Sequence, residues 1–369
     1  HSHYDKYMDA YPEQKKAFYP MVTNKGQNTA SKGATGATQV WPMDISRDIY
    51  HTNWVSQRTK SWLGTQSSDK PWFCWMSFPD PHHPWDIPAS ELHRINWKDV
   101  PLPRLYSEKR SQLESWLDEK PAHWRGYFDG SLWTNLESPR EFVPADMTAD
   151  QIREINAMTH IENELIDEAV GDVIGFLHSK QWIKNTDIFF TTDHGELQGD
   201  FGLLFKGPYH VNALMHLPFI WKPAEAANIP SAEVASPVGH VDLASTFCAI
   251  ADITPPDYCE GKPLPVSEDE AVQQEREIVL TEWDSEHGPI DMHLKSIYHR
   301  DGFLCTAYEK SHLYDGTEGE LYDMKEDPDQ LRNLWSDPGY ASHRAELTDR
   351  LYASLPEGAT EKLPRKAPV

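Results

Sequence analysis

Apolar residues recur at helical spacing over one long stretch of the chain. Ile152, Ile155, Met158, Ile161, Leu165, Ile166, Val170, Val173, Ile174 and Leu177 line one face of a helix, because steps of three and four return to the same side of a 3.6-residue turn. Thr148, with Gln151 three residues on, supplies a capping-box start. Two shorter runs are continuous rather than periodic. Trp72-Phe73-Cys74-Trp75-Met76-Ser77-Phe78 lies between Pro71 and Pro79, and Asp187-Ile188-Phe189-Phe190-Thr191-Thr192-Asp193 follows the helix. Runs of that length suit the buried strands of a parallel sheet. A further strand is predicted at 217–221, and a helix at 242–251 closes on Pro255-Pro256. Residues 26–38 lack periodicity and read as a loop, whereas 79–147, rich in proline, read as an extended excursion with a short helix or two.

The acidic segment 267–277 reads as a connector. Beyond it come short β-type runs at 278–282, 294–298, 303–308 and 320–323, then an amphipathic helix around 344–355. This pattern predicts two domains, an α/β domain over 1–266 and a small antiparallel-sheet-plus-helix subdomain over 275–369. The larger one is expected to carry a mixed, largely parallel sheet sandwiched by helices. A polar cluster at the carboxyl end of its strand 187–193 is where such folds bind ligands.

Composition narrows the partners. Of 369 residues, 34 are Lys or Arg and 58 are Asp or Glu, a formal net charge of −24. A nucleic-acid binder needs a basic footprint, so that class is excluded. No apolar run reaches the roughly 18 residues of a membrane span, and a soluble chain is expected. Cys74, Cys248, Cys259 and Cys305 form no CxxC pair, which argues against a disulfide scaffold or a zinc site. The chain opens His-Ser-His-Tyr, and the compartment (cytoplasm, periplasm or outside) stays open.

Two windows carry candidate chemistry. In Thr191-Thr192-Asp193-His194-Gly195-Glu196, a carboxylate and an imidazole leave the end of a strand, and Gly195 allows a sharp turn. Such a pair either converges on a divalent metal or caps the next turn. Lys206 follows twelve residues after His194 in a glycine-bearing loop, where it can present a fixed charge to an anion. In Pro79-Asp80-Pro81-His82-His83-Pro84, prolines restrict two histidines. That rigidity suits a site residue, and a solvent-facing turn is the competing reading.

Together the windows bring a family into view. FFTTDHGELQGDFGLLFKG, LPFIWKP, PWFCWMSFPDPHHPW, VDLASTF, EGKPL and GELYDMKEDPDQLRNLW stand in an order that closely resembles the sulfatases and their phosphonate monoester hydrolase relatives in the alkaline phosphatase superfamily. The resemblance runs through most of the chain and implies an alkaline phosphatase-like α/β fold. Residue by residue it implies that Asp193 and His194 are metal ligands. Lys206 would contact the sulfate or phosphonate oxygens, and His82, which fits a PHxP turn, the leaving or non-bridging oxygen. His83 receives no role. The implied cofactor is one divalent metal, Ca2+ first because oxygen ligands suit hard cations, Mn2+ next because of the imidazole.

Departures from the family pattern qualify this. No CxPxR or SxPxR motif, whose Cys or Ser becomes the formylglycine nucleophile, occurs in the sequence, and neither does the acidic pair that completes the metal site. Residues 1–266 are therefore expected to be a sulfatase-type domain without its amino-terminal part, inactive alone. The leading expectation is metal-assisted hydrolysis of small-molecule or glycan sulfate monoesters. The alternatives are phosphonate or phosphate mono- or diester hydrolysis, a catalytically inactive fragment and, suggested by 14 tryptophans, a metal-independent carbohydrate-binding module.

Overall fold

The computed structural model describes residues 3–18, 28–136, 138–287 and 290–355. Of the loop expected at 26–38, residues 26–27 lie outside the described residues, as do 288–289 and 356–369 of the subdomain. The chain forms two compact units. One comprises His1–Ser115, Arg125–Gly207 and Ala213–Ile229, and the other Trp116–Trp124, Pro208–Asn212 and Pro230–Val369.

In the first unit, helix α1 (His51–Leu63) packs against the long helix α2 (Ala149–Ser179). The Thr148 hydroxyl accepts from Gln151 N, and the Gln151 side chain accepts from Thr148 N, so the expected capping box forms. The apolar stripe of α2 buries Ile155, Met158, Ile161 and Leu165 against Val40, Met43, Tyr50, Trp85, Ile87, Leu204 and Phe205. Farther along, Val173 and Leu177 meet Leu63, with Trp72 and Met76 packed on them. Strands β1 (Ile188–Thr191) and β2 (Phe219–Lys222) pair antiparallel, with Phe190 opposite Ile220.

The helix-and-sheet class is as expected, but the pairing differs in detail. Among the described residues the regular ladders are antiparallel, and parallel pairing is confined to the isolated bridges Val40↔Trp85 and Met43↔Pro88. The expected strand at 72–78 forms no ladder. Its side chains nevertheless alternate with the two-residue period of a strand. Trp72 and Met76 turn inward, while Phe73 and Trp75 stay 60% and 69% exposed. A continuous apolar run foretells a two-sided extended segment; it does not specify which segment lies beside it.

The second unit holds a four-stranded antiparallel meander. Its strands are β3 (Ile278–His287), β4 (Ile290–His299), β5 (Phe303–Tyr308) and β6 (Gly319–Asp323), in sequence order. The helix Val241–Ile250 (α3) precedes it, and the final helix Ala341–Ser354 (α4) lays Leu347 and Leu351 on Ile297, Cys305, Leu321 and Leu334. The acidic connector is partly helical: Glu268–Gln273 forms a short helix whose N-cap, Ser267, accepts from Glu270 N. Its acidic residues crowd the first turn, where the helix dipole favours them. No helix among the described residues is long and apolar enough to cross a membrane.

Candidate active site

β1 ends at Thr191, and the next two residues carry the first pair. Asp193 Oδ1 accepts from His194 N (3.0 Å) and from the Thr192 hydroxyl (3.3 Å). His194 Nδ1 lies 2.8 Å from the Gly195 carbonyl. A carbonyl can only accept, so Nδ1 carries the proton and Nε2 offers its lone pair. That lone pair stands 3.6 Å from Asp193 Oδ2. Burial works against a charged Asp193, but the attraction of His194 in its imidazolium form, the His194 N–H and the Thr192 hydroxyl outweigh it and hold the carboxyl below its ordinary range. A deprotonated carboxylate beside an imidazole whose far nitrogen is anchored to a carbonyl is a donor set that fits a divalent cation.

Gly195 is required by space rather than by backbone handedness. Its N–H donates to Leu214 O at 2.9 Å, and a Cβ there would lie 1.8 Å from the Ala213 carbonyl oxygen. The turn after Asp193 and His194 is thus pressed against the chain entering β2.

The second pair is in direct contact across 124 residues of sequence: Lys206 Nζ lies 2.8 Å from His82 Nε2. His82 Nδ1 bonds the His83 carbonyl, which makes it the protonated nitrogen and leaves Nε2 to accept from the ammonium. The neighbours explain why these residues meet. Phe205 is fully buried, with ring contacts to His83 (4.5 Å between centroids), Phe142 (5.5 Å) and Trp85 (6.1 Å). Its backbone is left-handed, φ 68°, an unfavourable conformation for a bulky side chain that this packing holds. The next residue, Lys206, is thereby turned toward His82. His83, given no role from sequence, is buried and stacks on His82 at 4.2 Å. It forms the floor under the site histidine.

The structure therefore arranges the four expected residues as two pairs, Asp193 with His194 and His82 with Lys206. Sequence reasoning passed over a second constellation: His51, Asp80 and Asp86 bring one ligating atom each within 4.8 Å of one another, and Glu162 on α2 bonds Asp86 N through Oε1 (3.2 Å). A signal was present. Glu162 falls four residues after Met158 and seven after Ile155, on the apolar stripe where a carboxylate has no reason to be.

Comparison with known proteins yields consistent matches. A family model described as sulfatase matches residues 1–253, and one described as N-sulphoglucosamine sulphohydrolase, C-terminal, matches 199–356. The uncharacterized sulfatase YidJ of Escherichia coli is 29% identical over 299 residues, covering 80% of this chain and 54% of that protein. A Delta 4,5-hexuronate-2-O-sulfatase of Bacteroides thetaiotaomicron is 26% identical over 247 residues, 62% of this chain and 49% of that protein. The chain thus spans about half the length of these curated relatives. Among solved structures, the phosphonate monoester hydrolase of Agrobacterium radiobacter superposes with a TM-score of 0.75 at 20% identity, over 95% of this chain and 68% of that one. That likeness is one of fold.

Proposed function

Because the chain belongs to the sulfatase family, with an alkaline phosphatase-like fold, we propose that its site serves the hydrolysis of sulfate monoesters carried by small molecules or glycans. The observation that supports this most directly is the contact between Lys206 and His82, a fixed cation and an imidazole facing one another beside anchored backbone. Asp193 and His194 would hold one divalent cation, Ca2+ by preference and Mn2+ as the alternative; when bound, it supplies Lewis-acid polarisation of an ester oxygen.

The chain's own residues do the rest of the electrostatic work. Lys206 offsets negative charge on the non-bridging oxygens, and the donor it gives to His82 sets the direction of its ammonium. His82, with Nδ1 fixed on the His83 carbonyl, presents Nε2 to Lys206. Protonated there, the same atom hydrogen-bonds the departing oxygen. No CxPxR or SxPxR occurs in these 369 residues, so the formylglycine nucleophile of the proposed reaction is not among them.

The test separates binding from turnover. Titrated calorimetrically with Ca2+ present, the chain is expected to bind sulfate. EDTA or Asp193→Ala should abolish the binding, and Lys206→Ala should weaken it roughly tenfold or more. Aryl sulfate and aryl phosphonate should both remain unhydrolysed by this chain. Absence of metal-dependent sulfate binding, or hydrolysis that survives Lys206→Ala and His82→Ala, would overturn the reading.

A further inference from the structure

A second polar constellation lies at the start of α1, in the loop that carries His82, and on α2. His51 Nε2 is 3.3 Å from Asp80 Oδ1 and 3.7 Å from Asp86 Oδ1. Asp80 Oδ2 is already engaged, accepting from the Tyr50 hydroxyl (2.7 Å) and the Thr52 hydroxyl (2.6 Å), which leaves Oδ1 directed at His51. Glu162 is fully buried, at 0% exposure. Its Oε1 accepts from Asp86 N, and its Oε2 has no hydrogen-bond partner.

Charge makes this arrangement incomplete as it stands. Three carboxylates meet one imidazole, and among the described residues no lysine or arginine pairs with Asp80, Asp86 or Glu162. Burial, with Asp80 and Asp86 as its electrostatic neighbours, pushes the Glu162 carboxyl well above its ordinary range, and burial raises Asp86 as well. Unpaired buried carboxylates cost several kcal/mol each unless a proton or a cation neutralises them. His51, Asp80 and Asp86 already stand at ligand spacing, and the buried carboxyl of Glu162, anchored on Asp86 N with Oε2 unpartnered, adds a further charge that a cation would neutralise.

We propose that His51, Asp80, Asp86 and Glu162 form a binding site for a divalent cation, additional to the pair at Asp193 and His194. One imidazole nitrogen with carboxylate oxygens is a donor set that Mn2+ or Zn2+ accepts. The ion ties α1 to α2 and to the loop 80–86. That loop contains His82, so the ion also holds the site histidine's backbone in place. Its role is structural, and it stands independently of the sulfate reading.

The experiment starts from an Asp193→Asn, His194→Gln background, which removes the other candidate ligands. After incubation with Mn2+ or Zn2+ at pH 7.5 and gel filtration, metal analysis should find close to one equivalent per chain. At a hundredfold excess over Kd the melting temperature should rise by at least about 4 °C. Adding Glu162→Gln, which keeps the side-chain shape, should cut retention at least tenfold and remove the thermal shift, while the metal-free melting temperature stays the same or rises. His51→Gln should also lose the metal. A background protein that retains less than 0.1 equivalent and shows no thermal shift would overturn the proposal, as would full retention in the Glu162→Gln variant. Loss of sulfate binding in the background, with metal still retained, would bear on Asp193 and His194 alone.

Discussion

Gly195 and His123 show how single residues are constrained by what faces them. Sequence pointed to Gly195 as a turn residue, and the turn is there. The stricter demand comes from the Ala213 carbonyl, 1.8 Å from where a Cβ would sit. Gly195→Ala must push that backbone away, at a cost of about 1–3 kcal/mol. It should lower the denaturant midpoint and weaken the Ca2+ binding proposed for Asp193 and His194, both measurable on one preparation. His123 makes a pH prediction in the second unit. Its Nε2 donates to the Pro208 carbonyl (2.9 Å) and its Nδ1 accepts from the Tyr314 hydroxyl (2.7 Å), so the ring is held neutral. Burial pushes its pKa down to about 3. The unfolded chain, with an ordinary imidazole, takes up the proton first. Stability is therefore present above about pH 6.5 and lost as pH falls toward 3, at up to roughly 1.4 kcal/mol per pH unit. Melting temperatures between pH 7 and 4 should fall less steeply in His123→Gln than in the parent.

At the scale of elements, α2 followed from sequence because its information is local. The stripe and the capping box need only the chain's own neighbours within a turn. Thr148→Ala removes the bond to Gln151 N and should cost about 1 kcal/mol, read from urea unfolding. The two glutamates on the buried face of α2 were not anticipated, since each is explained by a distant partner. Glu154 receives Thr35 N (2.9 Å), Ala34 N (2.5 Å) and the Thr35 hydroxyl, and Glu162 receives Asp86 N. The segment 72–78 shows the same limit from the other side. Its apolar run foretold packing of Trp72 and Met76, but a ladder depends on a neighbour that the run itself does not encode.

Over the whole molecule, exposed apolar residues and net charge oppose one another. Phe190 and Ile220 are cross-strand partners on one face of β1–β2, at 44% and 62% exposure, and Phe73 and Trp75 are exposed too. Apolar surface of this kind favours association. The net charge of −24 resists it through long-range repulsion, which salt screens. Sedimentation should therefore show self-association that grows with protein concentration and with added NaCl. Ile220→Lys should reduce it without lowering the melting temperature appreciably. Sedimentation unchanged between 50 mM and 500 mM NaCl would contradict this balance.

Sequence alone determined the elements whose signals are short-range. These are α2 with its cap, a strand within 187–193, and the meander and final helix of the second unit, each encoded by apolar periodicity and turn residues close together in the chain. It also nominated Asp193, His194, His82 and Lys206, through motifs whose order resembles a known family. Only the tertiary structure decided how those residues stand to one another. The contact of Lys206 with His82 depends on Phe205 being held in a left-handed conformation among His83, Trp85 and Phe142, far away in sequence. The clustering of His51, Asp80, Asp86 and Glu162 likewise depends on three separate segments meeting. Periodicity records which side of an element is buried, because burial repeats with the element's own geometry. Which charged groups share that buried space is set by packing between elements, and a linear pattern carries no term for it.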